Sequence, residues 1–122
     1  MFITSIDTEK AGNFHGKLVV TQRWIRREKV VKAIQATSRF PNQHGTPIQI
    51  GNSEEIGISD PYNPDFGDPW IPENEKDFIP LYWACGVTPQ LVLESAKIDI
   101  SITHSPGKMF VTDLTDEEMA VI

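Results

Sequence analysis

The stretch FIPLYWACGVTPQ, residues 78–90, decides how this chain folds. FIPLYWACG is an apolar run long enough for a central β-strand, provided that Pro80 lies at its start, at a bulge or at an edge. After Gly86, Thr88 can act as an N-cap, with Pro89 at the first helical position. The stretch therefore predicts a strand that leads directly into a helix of about two to three turns.

Two elements are predicted upstream of this stretch. GKLVVTQRWI is rich in β-branched residues and predicts a strand over residues 17–24. RREKVVKAIQATSRF places Val30 and Ile34 on one helical face, which predicts an amphipathic helix that ends before Pro41. Six of the nine prolines lie in residues 41–72, so that region should contain short strands and turns but no long helix.

Downstream, an alternating pattern predicts more β-structure. In IDISITHS the side chains of Ile98, Ile100 and Ile102 would face one way, as in a strand with one buried face. SPGK is a turn signal and MFVTDL reads as a second strand, which predicts a β-hairpin over residues 98–114.

The chain ends in a predicted short helix. Thr115 and Glu118 have the spacing of a capping box, which marks a helix start. Together these elements predict an α+β fold with mixed, mostly antiparallel short strands and two or three helices, in a single domain over residues 1–122.

Composition indicates a soluble cytoplasmic protein. No segment approaches the roughly 20 apolar residues of a membrane span, and MFITSIDTEK lacks the features of a signal peptide. The single cysteine cannot form an internal disulfide, which favours a reducing compartment. A chain of 122 residues should also bury enough surface to fold without a disulfide or a metal.

The net charge of −6 is unevenly distributed. Residues 1–50 carry eight Lys or Arg against three acids, whereas residues 51–122 carry three Lys against fourteen acids. Either the two parts pair with each other on the surface, or a basic cluster remains free to attract an anion. That cluster consists of Arg23, Arg26, Arg27, Lys29 and Lys32. Nucleic acid is disfavoured because the chain as a whole is acidic.

Cys85 has two interpretations that the residues alone leave open. Its position just before a helix N-terminus would favour the reactive thiolate. However, free cysteine is among the most buried residue types, and the neighbouring Trp83 and Ala84 suggest a core strand. The helix start itself is a suitable site for a carboxylate or phosphate in either case.

The histidines and turn aspartates are the other candidates for chemistry. His44 lies in a turn and His104 at a predicted strand end, where an imidazole can serve as acid or base or can simply be solvated. His15 precedes a glycine, and the three histidines lack a metal-binding spacing such as HExxH. No cofactor is predicted, and a divalent metal would require histidines and aspartates to converge. Asp60, Asp65, Asp68 and Asp113 could be acid-base groups or local turn-forming carboxylates.

Several motifs in fixed order carry a family resemblance. FPNQHGTPIQIGNSEEIGISD, NPDFGD, YWACGVTPQ and ITHSPGKMFVTDL follow an N-terminal FITSIDTEKAGNFHGKLVVTQR. Together they resemble the C-terminal half of the hydro-lyase family, also called the D-glutamate cyclase family. Nothing here matches the preceding half of family members, so the chain corresponds to a free-standing domain, a fragment or a truncated product. Lys108 stands where the family has a histidine, and Trp24 where it has a proline.

The resemblance implies a carbon-oxygen lyase that acts on a small carboxylated metabolite, with D-glutamate cyclisation to 5-oxo-D-proline as one form. It implies His104 and His44 as acid and base with Cys85 beside them, and Arg23 with the helix start at Thr88 as the carboxylate site. Further implied substrate contacts are Gln90, Thr103 and Lys108, and the acid-base or structural carboxylates are Asp65, Asp68 and Asp113.

The alternative is a non-catalytic module that binds a carboxylate or docks to a missing N-terminal half. A lyase requires His44, His104, Cys85 and Arg23 to line one cleft, whereas a docking module requires a large exposed apolar patch. Partners expected from the sequence are a small carboxylated molecule and a second copy or an N-terminal domain, without nucleic acid or membrane.

Overall fold

The centre of the chain is a four-stranded antiparallel sheet. The computed structural model describes all 122 residues and orders the strands β1-β2-β4-β3. The strands are β1 (Phe2–Asp7), β2 (Lys17–Arg26), β3 (Gln49–Ile50) and β4 (Phe78–Ala84). The helices are α1 (Val30–Thr37), α2 (Thr88–Ser95) and α3 (Asp116–Met119), with 3-10 turns at Arg27–Lys29, Ser53–Ile56 and Glu75–Asp77. The predicted α+β class with antiparallel strands is therefore confirmed.

The pairing of β2 with β4 is the longest in the sheet. It runs without interruption from Val20 opposite Ala84 to Arg26 opposite Phe78. The backbone N–H of Cys85 extends the ladder with a 2.9 Å hydrogen bond to the carbonyl of Val19. Pro80 lies near the start of β4, as the sequence predicts, where its carbonyl accepts a hydrogen bond from Gly51.

The two faces of the sheet have different coverings. On one face Phe2, Val20 and Tyr82 pack with Ile56 and Ile58 into the core cluster. The helices α1 and α2 pack on the other face. Every second side chain of each strand points to that face, because side chains alternate along a strand. Trp83 on this face donates its indole N–H to the hydroxyl of Thr37 at 3.2 Å, which ties β4 to α1.

The β-hairpin predicted over residues 98–114 is not formed, so that prediction is wrong. The segment contains no strand, and Ile100 and Ile102 are 83% and 95% exposed. An isolated two-stranded hairpin is marginally stable in water, and an alternating strand needs a sheet or helix to bury its apolar face. This chain provides no such surface at that position.

Of the other predictions of local structure, some are confirmed and some are wrong. The helix before Pro41 and the capping box at Thr115 and Glu118 are confirmed. Thr88 is not the N-cap, because Val87 occupies that position and Thr88 is already helical. The Pro-rich region forms one short strand, β3, and the 3-10 turn Ser53–Ile56 without a long helix, as predicted, whereas β1 was not predicted at all. None of the helices has the length and apolar character needed to cross a membrane.

Candidate functional site

A cavity of about 240 Å³ opens on the helical face of the sheet. Thr21 and Arg23 reach it from β2, since residues two apart on a strand share a face. Trp83 lies directly opposite Thr21 on β4 and forms a wall. Thr37 comes from the last turn of α1, and His44 from the loop that follows. The cavity thus collects one cation, one imidazole and two hydroxyls around an indole.

His44 is held by the backbone at the end of β4. Its Nδ1 hydrogen-bonds to the carbonyl oxygen of Ala84. A carbonyl oxygen can only accept, so Nδ1 carries the proton, and Nε2 of the neutral ring is left as an acceptor. The loop is closed by 3.1 Å hydrogen bonds from the N–H groups of Gln43 and Gly45 to the carbonyl of Phe40. His44 therefore has the tautomer that a general base requires.

Arg23 presents a free guanidinium at the same cavity. Its side chain is exposed and makes no hydrogen bond or ion pair within the chain, whose single ion pair joins Lys17 and Asp7. The interpretation that the basic and acidic parts pair on the surface is therefore wrong. A planar guanidinium with unused N–H groups can bind a carboxylate through two parallel hydrogen bonds.

The remaining lining residues stiffen the cavity. The hydroxyl of Thr37 donates to the carbonyl of Ala33 at 2.9 Å while it accepts from Trp83. The hydroxyl of Thr21 makes no hydrogen bond within the chain, so it is available to hydrogen-bond to a bound molecule. The sequence prediction missed Thr21, Thr37 and Trp83. Only Thr21 carried a usable signal, since it precedes Arg23 by two residues on a predicted strand.

Cys85 lies beside this cavity and does not line it. The residue is half-buried, and its thiol lies 3.4 Å from the sulfur of Met1. It directly follows Ala84, whose carbonyl binds His44. The backbone of Cys85 thus adjoins the residue that binds His44, while its thiol contacts the thioether of Met1.

His104 does not line the cavity either, so the four residues expected in one cleft are not all brought together there. It approaches the same backbone from the other end. A Cβ on Gly86 would lie 3.1 Å from the imidazole Cε1, so glycine makes room for this ring. Gln90 on α2 donates from its side chain to the carbonyl of His104 at 2.7 Å. The short segment Ala84–Gly86 therefore contacts both imidazoles, His44 at its start and His104 at its end.

Several predicted site residues have structural contacts or lie elsewhere. The hydroxyl of buried Thr88 accepts from the N–H of Val19 at 2.9 Å, which fixes α2 to β2. The carboxylate of Asp65 accepts from the N–H of Ile3 at 2.7 Å and holds β1. The structure does not bring Asp68, Thr103, Lys108 and Asp113 to the cavity, and all four are exposed.

Metal ligands do not converge anywhere in the chain. No group of three or more His, Cys, Asp or Glu side chains lies close enough together to hold a metal ion. The side chains available for chemistry at and beside the cavity are the two imidazoles, the guanidinium and the hydroxyls.

Comparison with known proteins finds one matching family model and several similar proteins that share one description. The family model described as D-glutamate cyclase matches residues 1–113. A protein of Psychrobacter arcticus named "Putative hydro-lyase" is 53% identical over 123 residues, which cover 100% of this chain and 46% of the relative. A Geobacillus kaustophilus protein of the same description is 54% identical with the same coverage. One from Pelagibacter ubique is 50% identical, again over 46% of its length. The chain thus spans about half the length of these curated relatives.

Proposed function

Because this chain belongs to the D-glutamate cyclase family, we propose that it provides the carboxylate-binding and proton-transfer groups of a carbon-oxygen lyase. The substrate in this proposal is a small carboxylated metabolite. The observation that carries the proposal is the shared cavity of Arg23 and His44. One group there can bind a carboxylate, and the other can accept a proton a short distance away.

In the hydro-lyase form, the Arg23 guanidinium binds the substrate carboxylate and positions the adjacent carbon. The unprotonated Nε2 of His44 removes a proton from that carbon, and the C–H electron pair becomes the new carbon-carbon π bond. The C–O bond of the neighbouring hydroxyl breaks, and the oxygen takes a proton from an acid and leaves as water. His104 is the proposed acid, since it lies at the other end of Ala84–Gly86.

In the cyclase form, the same groups would act on D-glutamate. The amine attacks the γ-carboxylate carbon, a C–N bond forms, and one carboxylate oxygen leaves as water after protonation. Arg23 would bind the α-carboxylate, and His44 would take the proton that the amine loses. The product of this reaction is 5-oxo-D-proline.

The alternative proposal is a module that binds the carboxylate without turnover. It is favoured by the length of the chain, which covers 46% of its relatives, and by the exposed apolar residues 98–114. In either case we expect a cytoplasmic site for a free metabolite, without nucleic acid or membrane. Turnover distinguishes the two proposals, since both require binding.

The test is substrate conversion followed by mass spectrometry. The chain is incubated with D-glutamate and with 2-hydroxy and 3-hydroxy acids, alone and together with the N-terminal half of the Psychrobacter arcticus relative. The lyase proposal expects loss of one water from a substrate in at least one sample. Binding without conversion in both samples would leave the module proposal, and neither binding nor conversion would refute both.

Variants then assign the roles. Arg23→Ala removes a charge-assisted pair worth about 1.5–3 kcal/mol, so binding of the carboxylate should weaken roughly 10-fold to 100-fold. His44→Gln keeps a hydrogen-bonding side chain but removes the base, so turnover should fall by about 100-fold or more while binding changes little. Arg39→Ala is the matched control, because this exposed arginine lies outside the cavity. An equal effect of Arg39→Ala would contradict the assignment.

A further inference from the structure

Residues 98–114 form an exposed apolar segment with unused backbone groups. Ile100, Ile102 and Phe110 are 83%, 95% and 81% exposed. The only backbone hydrogen bond within the segment joins the N–H of Lys108 to the carbonyl of Ser105. Monomeric proteins seldom expose contiguous apolar residues of this size, and an unpaired extended backbone is a template for another strand.

The chain as a whole also exposes too much surface. Its accessible surface is 8731 Å². A compact monomer of 13.7 kDa would expose about 6,600 Å². The excess of about 2,100 Å² is of the order that a permanent interface between subunits or domains buries. The exposed segment is therefore part of a surface that is sized for a partner.

We propose that residues 98–114 dock, by adding β-structure, onto the N-terminal half of the family's full-length chain. The occupant follows from length, because this chain matches the C-terminal half of its relatives, 46% of the Psychrobacter arcticus protein, and the rest of that relative lies outside it. Docking of this kind uses main-chain hydrogen bonds for affinity and alternate side chains for specificity.

The segment has the pattern that such docking needs. Ile98, Ile100 and Ile102 fall on one side of an extended chain, and their polar neighbours fall on the other. Only Asp99, Lys108 and Asp113 are charged between residues 98 and 114, so little charge must be desolvated on burial. The partner surface is accordingly an open, apolar strand edge. This inference does not depend on the reaction proposed above.

Co-purification tests the contact. This chain, with an affinity tag, is co-expressed with the N-terminal half of the Psychrobacter arcticus relative. The wild type should retain that half, whereas the double variant Ile100→Glu and Ile102→Glu should retain at least tenfold less. Ser101→Glu on the opposite side is the matched control and should bind like the wild type. The isoleucines have no packing role in the free chain, so the melting temperature of the variant alone should be unchanged.

Hydrogen exchange tests the geometry. Amides of residues 98–103 should exchange at least tenfold more slowly in the complex than in the free chain. If the N-terminal half is insoluble alone, the same comparison uses it joined to residues 1–122 in one chain. Equal exchange in the bound and free states would overturn the proposal. So would retention that survives the double glutamate variant, or a homodimer of this chain that protects the segment instead.

Discussion

The contact between His44 and Ala84 shows how one backbone group can prepare a side chain for the base role proposed for it. The imidazole lies on an exposed loop, and one backbone carbonyl fixes which of its nitrogens carries the proton. Arg23 differs, because no group in the chain binds the guanidinium that is proposed to hold a carboxylate. The proposed role of His44 therefore depends on a contact within the chain, whereas that of Arg23 depends on having none.

Thr88 differs from both, since its hydroxyl is used inside the fold. Replacement by valine keeps the shape but leaves the buried N–H of Val19 without an acceptor. Such a loss costs about 1–3 kcal/mol. We therefore expect Thr88→Val to lower the free energy of unfolding by that amount in urea denaturation. Thr88→Ser retains the hydroxyl and should remain much closer to the wild type. Equal stability of Thr88→Val and wild type would contradict a structural role.

Elements with a strong local sequence signal were predictable, and those whose formation depends on tertiary partners or whose signal is short were not. β4 and α2 follow from an apolar run and a Thr-Pro start, signals that do not need the rest of the molecule. The predicted strand at residues 98–105 has an equally clear alternation, yet no sheet in this chain pairs with it. β1 was missed, although Phe2 and Thr4 alternate with exposed neighbours, because six residues carry a weak signal.

The edge strand β1 depends on a close approach at Gly57. This glycine has φ of 80°, and a Cβ there would lie 2.6 Å from the Cβ of Ser5. Gly57→Ala should therefore destabilise the protein by more than the roughly 1–2 kcal/mol that left-handed backbone alone costs an alanine. Gly12→Ala is the matched control, since Gly12 has φ of 62° and open space around it. Thermal unfolding of both variants measures the difference, and equal losses would rule out the clash.

The short helix α3 should depend on pH through its capping box. Hydrogen bonds from the backbone N–H and hydroxyl of Thr115 lower the pKa of Glu118 below its ordinary value of 4.5. A carboxyl whose folded-state pKa is depressed stabilises the helix above the unfolded pKa, and this contribution is lost as pH falls through the folded value. NMR titration of the Glu118 carboxyl should give a midpoint below 4.5 that rises in Thr115→Ala. An unchanged midpoint in that variant would contradict the capping contribution.

At the scale of the whole molecule, the candidate site could be predicted only in part. The resemblance pointed to Arg23 and His44, which share a cavity, and to His104 and Cys85, which lie at the adjoining backbone. It also pointed to Thr103, Lys108 and Asp113, which lie on or beside exposed segments of this chain. In a full-length relative, the positions of these three residues depend on contacts with the part of the protein that lies outside this chain. Trp83 and Thr37 escaped prediction because only tertiary packing brings them together.

Whether the cavity of Arg23 and His44 binds a carboxylate is the most direct test of the proposed function. The chain, labelled with ¹⁵N at arginine and histidine, is titrated with D-glutamate and observed by NMR. The Nε–H signal of Arg23 and the Nε2 signal of His44 should shift together with a single affinity, and in Arg23→Ala the His44 shift should require a ligand concentration roughly 10-fold to 100-fold higher. Shifts confined to other arginines and histidines, or a His44 shift with unchanged affinity in Arg23→Ala, would contradict a carboxylate site at this cavity.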